Sequence, residues 1–239
     1  MNQLDILSIP RGGLPPLHPV LLRDETEMVL VDCGCTGFLP LLEEAFRAVG
    51  ADMARLTRVF ITHHDHDHMG ALAALKRSRP GVQVLASAED APHIAGERKS
   101  LRLIQAEALQ QSLPDDKKEE GLGFMRLLAG VEPAHVDAQL RGDELFPWCG
   151  GIEVIATPGH MPGHISLYAR ASRTLIAGDA MVVQDGRLCV ANPQYTLDMP
   201  EARRSLARLL SYDIQHVVCY HGGAFAGDIP AALRKGAGN

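Results

Sequence analysis

Residues 62–70 read Thr62-His63-His64-Asp65-His66-Asp67-His68-Met69-Gly70, with six consecutive His or Asp side chains directly after a short β-rich run at residues 57–61. Imidazoles and carboxylates packed this densely are ligands for borderline divalent metals such as zinc, iron or manganese. A solvated polar tract is the plain alternative, and three further segments weigh against it. Thr157-Pro158-Gly159-His160-Met161-Pro162-Gly163-His164 follows a predicted strand, Ala177-Gly178-Asp179 ends another, and Tyr220-His221-Gly222-Gly223 ends a third. Each delivers a His or Asp on a glycine-containing turn just after β structure. Loops of that kind converge on one edge of a sheet, where sites are commonly built.

The elements that must position these groups follow from hydrophobic periodicity. Residues 3–9 alternate apolar and polar, and residues 19–22 and 28–31 flank the polar turn at 23–27, which predicts a hairpin. Leu39, Leu42, Ala45, Phe46 and Val49 recur at helical spacing, with Gly50 as the stop. Residues 71–75 read as a helix and 82–86 as a buried strand. From about residue 93 to 131 the β signal disappears, which predicts an insertion of two or three helices. Leu101, Ile104, Ala108 and Leu109 share a helical face there, Pro114 breaks the helix, and Phe124, Met125, Leu127 and Leu128 form an apolar group. Strands return at 152–156, 165–169 and 174–177, then a helix at 200–210, a strand at 216–220 and a short helix at 229–235. Strands interrupted by helices in both halves indicate layered α/β packing. Composition alone does not separate a wound parallel sheet from two facing sheets with outer helices.

The chain has 239 residues, 46% of them hydrophobic, enough for one large domain or two small ones. Its net charge of −6, from 23 Lys+Arg against 29 Asp+Glu, leans against nucleic acid as the main ligand, because phosphate binding needs clustered cations. The N-terminus lacks a basic start and a long apolar stretch, and no run approaches the ~18 apolar residues of a membrane helix. A cytoplasmic protein without a membrane partner is expected. Five cysteines, an odd number in a chain without a leader, do not suggest a disulfide framework. The Cys33/Cys35 pair lacks a matching second pair and reads as small buried residues at strand ends. No serine sits in a G-x-S-x-G turn.

The order of dense cluster, His, Asp and His resembles the metallo-β-lactamase superfamily, whose motifs run H-x-[H/E/D]-x-D-H followed by His, Asp and His. The Val31-Asp32-Cys33-Gly34 and Thr-Pro-Gly-His-x-Pro-Gly-His segments are also typical of it, and the resemblance runs from there to His221. It implies one domain over residues 1–239: an αββα sandwich of two mixed β-sheets flanked by helices, with the helical insertion at about 93–131 and metals at one edge. The family ends its first motif with Asp-His-x-Gly, which Asp67-His68-Met69-Gly70 matches. His63 is then the first ligand, and Asp65 falls where most members have a second His. In the alternative register, His64 or His66 replaces Asp65. By the family's pattern, His63, Asp65 and His160 would hold one metal and Asp67, His68 and His221 a second, with Asp179 bridging. His164 and Asp32 would support the site.

This resemblance implies two divalent metal ions, zinc first, with iron or manganese as alternatives because Asp65 is a harder ligand than His. On ligand types alone, Asp65→His should retain metal and favour zinc. The expected activity is hydrolysis of an ester, lactone, thioester or amide in a small-molecule substrate by metal-activated water. Asp67 would be the catalytic group that orients the water. Tyr195 is the candidate donor to the developing oxyanion, or else a packing tyrosine. An iron-dependent redox enzyme of the same fold, a phosphodiesterase and a metal-stabilised binding protein are the alternative functions. The insertion is expected to serve as a lid over the site, as a homodimer interface, or both.

Overall fold

The computed structural model describes residues 2–238. One six-stranded sheet runs in the order Gln3–Ile6, Val20–Arg23, Met28–Val31, Arg58–Ile61, Gln83–Ser87, Ala138–Leu140. Its first two pairings are antiparallel and the other three parallel. The second sheet runs Gly223–Phe225, His216–Cys219, Thr174–Ile176, Ile165–Ala169, Ile152–Ala156, Leu145–Phe146, with one parallel pairing between Thr174–Ile176 and His216–Cys219. Both sheets are mixed, as the resemblance implied.

Strands buried on both faces need apolar residues on both, so alternation gives way to continuous runs. Met28–Val31 is buried throughout. Val29 and Val31 face the second sheet, in a core shared with Phe60, Val154, Leu167 and Val218, whereas Met28 and Leu30 pack toward the helices with Leu42, Phe46, Leu72 and Leu75. The second sheet repeats the arrangement: Val218 faces the inter-sheet core, while Val217 and Cys219 pack with Leu206, Leu209, Ile229 and Leu233. Three apolar layers therefore separate helix, sheet, sheet and helix. This is the facing-sheet solution that composition left open.

Two ribbons lacked a counterpart in the sequence reading. Ile9–Arg11 pairs with Leu14–Leu17, so the strand expected over 3–9 breaks at Ile6. Pro15 and Pro16 mask that pairing, because proline cannot donate to a ladder. Met181–Gln184 pairs with Arg187–Val190 around Asp185 and Gly186, both at positive φ as a type I′ hairpin turn requires.

The insertion comprises the helices Ala91–Ile94, Leu101–Gln110 and Asp115–Ala129. Its packing inverts one expectation. In Leu101–Gln110 the buried residues are Arg102 and Ala106, while Ile104, Ala108 and Leu109 are exposed. The buried guanidinium is held by groups distant in sequence, and those partners orient the helix. All five cysteines are free, three of them buried.

Candidate metal centre

The strand Arg58–Ile61 delivers the histidine cluster. Asp65 is extended, and the chain then turns into the short helix His66–Met69. Asp67 and His68 reach the site from that turn, not from a continued extended segment. The Asp65 carbonyl accepts the backbone N–H groups of His68 and Met69. Gly70 ends the motif because its backbone packs against Thr36: an added Cβ would lie 2.4 Å from the Thr36 nitrogen. Similarly, Gly159 at φ +136° lets the loop carrying His160 pass the backbone of Ala202.

All seven sequence candidates converge. Ligand atoms of His63, Asp65 and His160 lie within 4.8 Å of one another, as do those of Asp67, His68 and His221. Asp179 stands between the two sets. Its Oδ1 is 3.4 Å from His68 Nε2, and its Oδ2 is 3.6 Å from His160 Nε2 and 3.4 Å from His221 Nε2. Asp65 Oδ2 lies 3.4 Å from His63 Nε2 and 3.2 Å from His160 Nε2, and Asp67 Oδ2 lies 3.3 Å from His221 Nε2.

Supporting hydrogen bonds assign the ring protons. Asp32 Oδ2 accepts from His68 Nδ1 at 2.8 Å and from the Thr62 hydroxyl at 2.8 Å. Because Thr62 donates to Asp32, its Oγ1 accepts from His63 Nδ1 at 3.0 Å. The Nε2 atoms of His63 and His68 are then left inward-facing, buried and without hydrogen-bond partners among the described residues, as is Asp179 Oδ1. Burial lowers the His63 pKa to about 4, which keeps that imidazole neutral. Burial opposes the charge on Asp65, yet the imidazoles of His160 and His63 and the Arg102 guanidinium hold its carboxyl well below the usual range. Burial opposes the charge on His68 and His221, yet the carboxylates around them, Asp179 foremost, raise His68 well above the ordinary imidazole range and His221 to about 9, so a metal binding there displaces protons from these rings. Buried imidazole nitrogens and ionised carboxylates converging in this way make a donor set that fits divalent cations.

His64 and His66 stay out of this set. His64 turns away: Asp90 Oδ2 accepts from its Nδ1 at 2.9 Å and from its backbone N–H at 2.8 Å, and its Nε2 accepts the Leu101 N–H at 3.2 Å. His66 packs edge-on against Phe124, ring centroids 5.8 Å apart. His164 sits behind Asp179, and Tyr220 donates its hydroxyl to the Asp67 carbonyl at 2.6 Å.

The sequence reading missed Arg102. Its Nη2 lies 2.7 Å from Asp65 Oδ2 and 3.3 Å from His160 Nε2, and its Nε donates to Asp65 Oδ1 at 3.0 Å. No motif marks this arginine; it lies 37 residues from its partner. Above the site is a cavity of about 470 Å³ whose walls include Arg11, Phe124, Asn192 and Tyr195. A second cavity of about 520 Å³, between the two longer insertion helices, shares Phe124 and Tyr195 with it and continues along Leu109, Leu113 and Leu127. Among the described residues, no helix is long and apolar enough to cross a membrane.

A family model for the metallo-beta-lactamase superfamily matches residues 16–221. The uncharacterised protein YobT of Bacillus subtilis (strain 168) is 30% identical over 179 residues, covering 72% of this chain and 66% of YobT. The probable metallo-hydrolase YflN of the same strain is 26% identical over 212 residues, covering 81% of this chain and 75% of YflN. A hydroxyacylglutathione hydrolase of Pseudomonas paraeruginosa (strain DSM 24068 / PA7) is 29% identical over 181 residues, 74% of this chain; the match spans only 52% of that protein's length. Among solved structures, the metallo-beta-lactamase family protein TTHA1429 from Thermus thermophilus superposes with a TM-score of 0.74 at 24% identity, covering 97% of this chain and 77% of that one. On the family match and this shared fold, the chain belongs to the metallo-β-lactamase superfamily.

Proposed function

We propose that this chain is a metal-dependent hydrolase that cleaves an ester, lactone, thioester or amide bond in a small organic molecule, with a thioester as the first class to test. The observation that carries this reading is the pair of ligand sets, His63/Asp65/His160 and Asp67/His68/His221, sharing Asp179 at the floor of a cavity. The thioester preference rests on the relatives named hydroxyacylglutathione hydrolase, whose length this chain covers only by about half.

Two divalent ions in those sets, zinc as the first assignment, would supply Lewis acidity and bring the pKa of a water toward ~7, so the nucleophile forms at neutral pH. The protein's own groups do the rest. Burial works against the Asp67 charge, but the hydrogen bond with His221 and the neighbouring His68 ring hold its carboxyl well below the usual carboxylate range. As a carboxylate it would accept a hydrogen bond from the attacking water and orient it. Tyr195, 40% exposed on the shared wall of the two cavities, would offer its hydroxyl to the oxygen that gains charge. Phe124 and the leucines beyond it would take the apolar part of the substrate. The small-molecule reading keeps nucleic acid and membranes outside the set of partners.

The test is metal analysis of the purified protein, followed by a panel of thioesters, lactones, phosphodiesters and β-lactams before and after chelation. Two ions per chain, and turnover of an acyl substrate that disappears on chelation and returns with zinc, are expected. Tyr195→Phe should lower kcat about 10-fold with metal content unchanged. Turnover of phosphodiesters alone, or a purely redox activity with iron, would overturn the reading.

A further inference from the structure

The insertion helix Leu101–Gln110 carries a buried cation into the metal centre. Arg102 is 2% exposed, and its guanidinium forks onto both oxygens of Asp65. Its remaining nitrogen, Nη1, donates to Gln105 Oε1 at 2.6 Å. The helix is locked in that position by the neighbouring residue pair: His64 accepts the N–H of Leu101, while Asp65 holds the side chain of Arg102. Two consecutive residues of the cluster thus grip two consecutive residues of the insertion. Arg102 Nη2 approaches Asp65 Oδ2, the oxygen that also lies nearest to His63 Nε2 and His160 Nε2. An arginine fork and a metal ion are therefore directed at the same carboxylate.

We infer that Arg102 is a positioning residue that works as the charge partner of Asp65: the pair together takes the place of one neutral ligand in the His63/Asp65/His160 set. The inference rests on the metal reading above. A carboxylate at position 65 adds one negative charge to a site that already contains Asp67 and Asp179, and the buried guanidinium removes it again. The fork also fixes the plane of the carboxylate, so that Oδ2 stays turned toward His63 and His160. The cost is competition, because a fixed positive charge beside a metal site weakens cation binding there. The His63/Asp65/His160 set should therefore bind more weakly than the Asp67/His68/His221 set. Arg102 also reverses the expectation for Asp65→His drawn from ligand types alone. A neutral imidazole would leave the buried guanidinium without its counter-charge, directly beside the incoming ion.

The experiment measures zinc stoichiometry and affinity by competition with a chelating dye, on folded protein verified by circular dichroism. The wild type should bind two zinc ions, one at least 10-fold more weakly than the other. Arg102→Met, which keeps length and removes charge, should tighten the weaker site about 10-fold. Asp65→His should fall to one zinc ion per chain, and Asp65→His with Arg102→Met should return to two. Asp65→His with Arg102→Lys should stay at one, which separates charge from packing. If Arg102→Met does not fold, Arg102→Gln serves the same comparison. Asp65→His holding two ions with Arg102 in place, or no tightening in either Arg102 variant, would overturn the inference while leaving the metal reading intact. A wild-type chain that binds no zinc, iron or manganese would remove both.

Discussion

The ring of His164 accepts the backbone N–H of Asp179 at its Nε2, 3.0 Å away. Its proton must then sit on Nδ1, which donates to the Thr157 hydroxyl at 2.8 Å. The polarity propagates: Thr157 donates to Ser166, 2.8 Å away, and Ser166 to the Ala177 carbonyl at 3.0 Å. Burial pushes the His164 pKa far down, so the ring is neutral, in agreement with this single-proton pattern. The second histidine of the Gly-His-Met-Pro-Gly-His segment thus fixes the loop that carries Asp179.

From this follows the first prediction. His164→Ala removes no ligand, yet it leaves the Asp179 N–H buried without its acceptor and frees the loop. Metal affinity should fall about 10- to 100-fold, the usual effect of removing a group that orients a ligand. Metal titration checks it, and wild-type affinity in the variant would show that Asp179 is held by other contacts.

Asp65 and His66 are adjacent and should behave oppositely. Asp65→Ala should deplete one metal and lower kcat by orders of magnitude, with added instability from the unpaired buried Arg102. His66→Ala, which loses its contact with Phe124, should leave metal content near wild type. The reverse pattern in elemental analysis would shift the ligand register by one residue.

Phe124 closes one wall of the site cavity and opens onto the groove between the two longer insertion helices. Phe124→Ala should raise KM several-fold for substrates with an apolar tail and leave metal content unchanged. Leu127 and Leu109, 51% and 48% exposed, extend the same apolar surface. If two copies of the chain associate there, Leu127→Glu should produce monomers in light scattering. A protein that is monomeric throughout, with kinetics indifferent to both changes, would exclude lid and interface alike.

Asp24 anchors the turn between Val20–Arg23 and Met28–Val31. Its Oδ1 accepts the N–H groups of Thr26 and Glu27, and its Oδ2 accepts that of Cys149, tying the hairpin to the second half of the chain. Burial alone would raise its pKa, but these donors bring it down to about 2 from 3.8. A carboxyl depressed in the folded state stabilises above its unfolded pKa, and the contribution is lost as pH falls through the folded value. Asp24→Asn should lower Tm by about 2–4 °C at neutral pH, as for a loss of ~1 kcal/mol after solvent screening. The gap to wild type should narrow between pH 4 and pH 2. Thermal melts of the metal-free protein test this, and a gap unchanged at pH 2 would assign the effect to shape and not to charge.

Much of this protein is legible along the chain because its determinants are local. The types and order of His63, Asp65, Asp67, His68, His160, Asp179 and His221 state a metal chemistry, and the apolar runs before them place the cluster and each of the three later residues at a strand end. Apolar runs such as Met28–Val31 mark strands buried on both faces, and with the family resemblance they specify two sheets between helices. What the tertiary structure alone decided depends on residues far apart in sequence. Facing sheets separate Val29 and Val31 from Met28 and Leu30 into different cores. The turn of helix after Asp65 brings Asp67 and His68 inward, where uninterrupted alternation would have set them on opposite sides. Arg102 looks like any surface arginine on an amphipathic helix. It becomes part of the metal centre because His64 and Asp65, 37 residues away, draw that face of the helix inward. Periodicity reports which residues share a helix face; only the partner's position decides which face is buried, and here a charge pair outweighed the apolar stripe.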